Sequence, residues 1–320
     1  MVRLGIRILL VLLVVSAVMA AGGVAYLFSA YPHAAPPSSL KVESTPARIA
    51  RGEYLSRHVA GCTDCHGERD WSKYSAPQMR EREGHGGMAF RLEIGTLYAP
   101  NITPAALAGW TDGEVLRAMT EGVSKDGRPL FPLMPYENFA QMSREDAESV
   151  IAFIRTLPSA TRDVPPTVLK FPMNLIVRTI PKPVTLPATA PDRSDRIAYG
   201  RYLTTVASCS SCHTRMERGR PVPNMTFAGG LEFHPRTGGI QRSANITPDM
   251  ETGIGRWSEG QFVARFTSIA ALDDGALALN GRPNTEMPWR DYGGMEPQDL
   301  SAIYAYLRTI PAVRNVVQRD

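Results

Sequence analysis

The sequence predicts a mainly α-helical chain in which two tandem copies of one small domain follow a single N-terminal transmembrane helix. Three observations carry this prediction. Ile8 to Phe28 form a run of 21 residues without a charge. The rest of the chain repeats itself in order. Each repeat carries the apolar spacing and capping signals of helices rather than the alternation of strands.

The N-terminal run, ILLVLLVVSAVMAAGGVAYLF, is long enough to cross about 30 Å of hydrocarbon at about 1.5 Å per residue. Arg3 and Arg7 precede it, and no basic residue follows until Lys41. That asymmetry sets the N-terminus in the cytoplasm and the remainder on the periplasmic side of the inner membrane. The alternative is a cleaved secretory signal with its cleavage site at Ala17 to Ala20. Both readings give the same compartment. Residues 1–30 are therefore assigned to the anchor and 31–47 to a linker.

The repeat begins at RIARGEYL, from Arg48, which matches RIAYGRYL, from Arg196. Cys-x-x-Cys-His then occurs at Cys62 and at Cys209, and NITP at Asn101 and at Asn245. GWTDGE answers RWSEGQ, LMPYENFAQM answers EMPWRDYGGM, and IAFIRTLP answers IYAYLRTIP. Insertions are short: three residues before Trp257 and six more before Met287. Thr111 with Glu114, and Ser258 with Gln261, form capping boxes that start helices. Val150, Ile151, Ile154 and Leu157 are helically spaced, as are Leu300, Ile303, Tyr304, Leu307 and Ile310. Pro158 and Pro311 are expected to stop these last helices. Each copy thus reads helix, Cys motif, loops, short helix, extended loop and final amphipathic helix, over 48–158 and 196–313. Between them, 159–195 is a Pro-rich linker expected to lack helix and central strand, with FPMNLIV, Phe171 to Val177, pinned against one of the domains. A tail, 314–320, closes the chain.

The formal charge of +4 does not indicate nucleic acid, because the excess lies outside the repeats. Residues 48–158 carry 13 Lys and Arg against 15 Asp and Glu, and 196–313 carry 12 against 11. A nucleic-acid binder concentrates its basic residues on a folded module.

The chain has four cysteines, Cys62, Cys65, Cys209 and Cys212, all within the two repeated motifs. Cysteines at i and i+3 on a helical turn share one face. There they can form thioethers with the two vinyl groups of one porphyrin, and the adjacent histidine can reach the iron from the same side. This is the attachment signature of haem c, and it predicts two covalently bound haems. A thioredoxin-like pair lacks the following histidine, and a shared zinc site would need both motifs together although each sits in its own repeat. His66 and His213 are the expected proximal ligands. The other histidines, His33, His58, His85 and His234, do not align well across the repeat. Met134 and Met287 do, each followed by proline and an aromatic residue, Tyr136 or Trp289. Proline favours an extended residue before it, which suits a ligand presented from a loop, and His/Met ligation is common in cytochromes c. Met142 and Met295 read instead as hydrophobic staples of the final helices. Met119, which aligns with Phe266, reads as core. Trp110 and Trp257 are either core residues or donors to haem propionates. Asn101 and Asn245 sit in Asn-Ile-Thr, formally a glycosylation sequon, and are read instead as parts of a structural loop at the haem edge.

With these residues in hand, the chain resembles the membrane-anchored multihaem cytochrome c subunits that serve periplasmic alcohol, gluconate and aldehyde dehydrogenases. The shared features are AGCTDCHG, NITPDMETGIGRWS, MPY, YAYLRTIP and the FP-x-N element at Phe171, Pro172 and Asn174, and they cover about 48–313. The resemblance implies two class I cytochrome c folds with Met134 and Met287 as distal ligands. The expected function is that of a dihaem electron carrier, not itself an enzyme, between a dehydrogenase or respiratory complex and a downstream acceptor. The alternatives are a dihaem peroxidase, which needs one iron with an open position, and a relay subunit inside a larger respiratory assembly.

Overall fold

A computed structural model describes residues 2–235 and 239–318. Of the tail, residues 319 and 320 lie outside that range. Helix α1, Val2–Ala30, extends the apolar run in both directions and buries none of its residues against the rest of the chain. It is long and apolar enough to cross a membrane.

The first half starts with α2, Pro46–Tyr54. Thr45 caps it by accepting the Arg48 N–H at 3.2 Å, and Pro46 supplies a preset φ in its first turn. It runs into a π-helical turn, Leu55–Val59, and then into the one-turn helix α3, Cys62–Cys65. Strands β1, Ala89–Leu92, and β2, Gly95–Tyr98, form an antiparallel hairpin with Ala89 opposite Tyr98. Helix α4, Pro104–Leu107, leads to α5, Asp112–Glu121, which begins with the expected Thr111–Glu114 capping box. After the one-turn α6, Tyr136–Phe139, comes α7, Arg144–Ile154.

The linker is more structured than its prolines suggest. Val168–Leu169, β3, adds to the edge of β2 with Gly95 opposite Leu169, and Met173–Ile176 forms the short helix α8. FPMNLIV is pinned only in part: Val177 is buried, whereas Phe171 is 78% exposed and Ile176 45%. An edge strand tolerates nearby prolines because its outer N–H groups need no partner.

The second half repeats the plan with α9, Arg196–Val206, and α10, Cys209–His213. Two small ribbons follow, β4, Met216–Glu217, with β5, Arg220–Pro221, and β6, Glu232–Phe233, with β7, Gln241–Arg242. Then come α11, Glu259–Ala270, opened by the Ser258–Gln261 capping box, α12, Trp289–Tyr292, and α13, Pro297–Leu307. Both final helices end four residues before the prolines expected to stop them, at Ile154 and Leu307. The intervening residues form turns, which carry Leu157 back into the core.

In each half the first helix crosses the last at a glycine. A Cβ on Gly52 would stand 1.8 Å from the Ser149 carbonyl oxygen, and one on Gly200 would stand 1.9 Å from that of Ala302. No other residue permits so close a backbone contact. Around these crossings runs one apolar cluster that includes Leu55, Val59, Met142 and Ile151 from one half and Leu203, Val206, Leu300 and Leu307 from the other.

The halves exchange bonds reciprocally. Tyr54 on α2 donates to Asp299 on α13 at 2.6 Å, and Tyr202 on α9 donates to Asp146 on α7 at 2.6 Å. Arg51 holds Asp146 with two bonds, at 2.8 and 2.9 Å. Arg193 likewise pairs with Asp299, so both buried carboxylates are paired and bonded, which is what such a position requires.

Candidate haem sites

The residue before each Cys helix is left-handed: Gly61 has φ of 63° and Ser208 of 56°. This turn breaks the preceding helix and starts α3 or α10 in a new direction. Cys62 and Cys209 are half-buried, Cys65 and Cys212 are exposed, and none of the four is in a disulfide.

His66 and His213 share one arrangement. His66 Nδ1 lies 2.8 Å from the Pro100 carbonyl and His213 Nδ1 lies 2.7 Å from that of Ala244. A carbonyl only accepts, so Nδ1 carries the proton and Nε2 keeps its lone pair. Burial lowers the pKa of both imidazoles, which favours the neutral form. A neutral imidazole oriented through its second nitrogen is the form a metal takes.

The two NITP loops set those carbonyls. Asn101 Nδ2 donates to the Ala160 carbonyl at 2.7 Å, while its Oδ1 accepts the Thr103 N–H at 2.8 Å. Asn245 does the same with Val313 at 2.7 Å and Thr247 at 2.9 Å. Each asparagine therefore ties the residue behind the histidine's partner to the chain leaving the final helix. Sequence reasoning missed the Pro100 and Ala244 carbonyls, although the repeated NITP directly after them was the available signal.

Met134 and Met287 also share a local form. The N–H of Tyr136 returns to the Met134 carbonyl at 2.7 Å, and that of Trp289 to Met287 at 2.8 Å. The prolines between them have φ, ψ of −80°, 54° and −80°, 66°. These are inverse γ-turns centred on proline. Both methionines are half-buried. Met142 and Met295, at 0% and 4% exposure, are packed inside the core with Met119.

The Met287 turn is held from the other half. The Ser75 hydroxyl donates to the Met287 carbonyl at 2.7 Å and accepts the Trp289 N–H at 2.7 Å. Asn284 secures this reach by accepting the Ser75 N–H at 2.8 Å. Nothing in the repeat announces it, because 71–79 has no counterpart of the same form.

The tryptophans diverge. Trp110 is half-buried against the core, with its carbonyl receiving Arg155 at 2.6 Å and the Lys125 ammonium 5.9 Å from its ring centroid. Trp257 is 37% exposed, and its carbonyl receives the Tyr304 hydroxyl.

The short helices after the methionines face the opposite half's Cys motif. Asn138 on α6 donates to Ser208 at 2.9 Å, and His58, just ahead of α3, donates to the Asp291 carbonyl on α12 at 2.8 Å. Two acids lie in this region, Asp64 buried and Asp291 half-buried. Burial raises the pKa of Asp64 against the opposing pull of Arg69, its ion-pair partner at 3.1 Å. Burial, and then Asp64, push Asp291 up to about 7. Crowding by protein atoms, and then the charge of Asp64, push the Cys65 thiol up to about 12.

Two thiols on one helical turn, a neutral imidazole with a free Nε2 and a thioether at the edge of an apolar core make a donor set that fits haem c in either half. When bound, such a haem supplies a one-electron iron couple.

Residues 197–311 match the family model for cytochrome c, so the second half of this chain carries a cytochrome c domain, a fold that implies covalently bound haem. The chain is similar to the cytochrome c subunit of the quinone alcohol dehydrogenase of Gluconobacter oxydans, at 29% identity over 87% of this chain and 58% of that protein. It is similar to the fructose dehydrogenase cytochrome subunit of Gluconobacter japonicus, at 29% over 84% of this chain and 55% of that protein. A diheme cytochrome c-type protein of Cereibacter sphaeroides matches at 29% over 82% of this chain and 86% of its own length. The chain thus spans a little over half the length of the two dehydrogenase subunits.

Proposed function

We propose that this chain is a dihaem c-type cytochrome, held outside the cytoplasmic membrane by α1, that carries electrons from a dehydrogenase catalytic subunit to a downstream acceptor. Each half would be one class I cytochrome c domain. Cys62, Cys65, His66 and Met134 would hold one haem, and Cys209, Cys212, His213 and Met287 the other. The observation that carries this reading is the doubled geometry behind the histidines, in which Nδ1 donates to a loop carbonyl and Nε2 is left for a metal. A fold that needed the Cys motif only for packing would have no reason to orient the imidazole identically twice.

The residues' own work is then to hold rather than to react. Pro100 and Ala244 fix the imidazole tautomer, the Met-Pro turns would present a thioether to the iron, and Tyr136 and Met142 are buried in the core behind them. Held by residues that need not move, a haem bound in either half would supply a one-electron couple with little rearrangement of the protein. The reciprocal contacts of α6 and α12 with the opposite Cys region support passage of an electron between the halves.

The dehydrogenase partner is supported by the named roles of the alcohol and fructose dehydrogenase relatives. A peroxidase would need one iron with a displaceable sixth ligand, and the same Met-Pro turn in both halves argues against it. The optical spectrum of the oxidised protein tests this choice. Two methionine-ligated low-spin haems are expected to show the weak sulfur-to-iron band at the red edge, whereas a persistent high-spin signal would favour the peroxidase.

A further inference from the structure

The linker between the halves leaves an apolar surface that neither half covers. Val168 is 61% exposed, Phe171 78% and Ile176 45%, all within ten residues of one another. The stretch from Thr167 to Pro183 carries Lys170, Arg178 and Lys182 and no acidic residue. Lys170 and Lys182 are exposed.

The place of this surface identifies what meets it. Arg178 donates to the carbonyls of Phe28 and Tyr31, and its guanidinium lies 4.3 Å from the Phe28 ring centroid. Phe28 is the last residue of the apolar run, so the linker is docked where α1 leaves the hydrocarbon. β3 ties the other side of the segment to β2, which fixes it to the first half. Apolar side chains flanked by cations, fixed beside the exit of a span, match the interfacial zone of a bilayer. There, ring and aliphatic groups enter below the headgroups while lysines meet phosphate. A protein-docking face would not need to sit at that height.

We propose that Thr167 to Pro183 is a second membrane contact, in which Val168, Phe171 and Ile176 enter the lipid and Lys170 and Lys182 meet lipid phosphates. The proposal rests on reading α1 as a membrane span. With two attachments, the haem-bearing halves hold a fixed tilt above the membrane instead of swinging on α1 alone.

The test uses the full haem-loaded chain in nanodiscs of phosphatidylethanolamine and phosphatidylglycerol. p-Benzoylphenylalanine replaces Phe171 in one variant, Leu12 within α1 in a second and Ile240 in a third. After illumination, mass spectrometry reads phospholipid adducts. Adducts at 171 and 12, but not at 240, are the expected result, and Val168→Asp with Ile176→Asp is expected to abolish the adduct at 171 alone. Adducts at 12 without any at 171 would overturn the proposal and leave the span intact. No adduct at either position would overturn both. Crosslinking of 171 in native membranes to a protein subunit instead of lipid would also overturn it, and would assign the patch to a partner.

Discussion

Gly200→Ala sets two effects of opposite sign against each other. Alanine is the better helix former by about 1 kcal/mol, so propensity alone predicts a gain. The added Cβ, however, would stand 1.9 Å from the Ala302 carbonyl oxygen and 2.4 Å from its carbon. Both atoms belong to the backbone of α13, and no rotamer change relieves the contact. To reach an ordinary separation of about 3.4 Å or more, the helices must part by more than 1 Å. That opens the core where Leu203, Leu300 and Leu307 are at most 1% exposed. Overpacking costs about 1–3 kcal/mol when side chains can yield, and a backbone clash belongs at the upper end. The net loss is about 2 kcal/mol, or a fall in Tm of roughly 4–8 °C for a core that the two halves share. Unfolding of the haem-loaded protein followed by Soret absorbance and far-ultraviolet dichroism measures it. Gly260→Ala is the control, since that glycine in the first turn of α11 has its nearest neighbour, Ser258 Oγ, at 4.0 Å. It should be neutral or slightly stabilising. If Gly200→Ala matched it, the helix crossing described above would be wrong.

Met134→His or Met287→His should retain both haems, because the thioethers belong to the cysteines, and should lower the potential of the altered haem, which redox titration reads. Met142→Leu or Met295→Leu should leave both potentials unchanged and cost less than about 1.5 kcal/mol in denaturant unfolding. Loss of the sulfur-to-iron band in these leucine variants alone would reverse the ligand assignment. Ser75→Ala removes both hydroxyl bonds that hold the Met287 turn, a loss of about 1–3 kcal/mol. It should weaken the sulfur-to-iron band without changing the haem count, and an unaltered band would mean that the turn holds itself. Burial keeps the folded pKa of His58 below its usual 6.5, so its contribution to stability is fully present above pH 6.5 and is lost as pH falls through the lowered value. His58→Gln should flatten the dependence of unfolding free energy on pH below 6.5, and an unchanged slope would assign that dependence elsewhere.

Much of this was legible because the chain is written twice. Comparing the copies exposed the Cys motifs, the capping boxes and the Met-Pro pair, each of which is a local device with a local signature. The hairpin of β1 and β2 was not found, because four-residue strands leave too short an alternation to separate from loop. The reciprocal bonds of Tyr54 with Asp299 and Tyr202 with Asp146 were also beyond reach. Their residues repeat in register, but nothing local says that each tyrosine serves the other half. Ser75 shows the deeper limit: its partner lies 212 positions away, and only the packed halves bring them together. The exposure of Phe171 was missed for a related reason, since an apolar stretch in a linker suggests burial until the surface it faces is known.

If the proposed function holds, both halves bind haem through their cysteines. Pyridine haemochrome analysis of the purified chain, set against protein concentration from amino-acid analysis, tests it most directly. Two haems c per chain are expected, both remaining with the protein after acid-acetone extraction. One haem per chain, or haem that the solvent removes, would contradict the account.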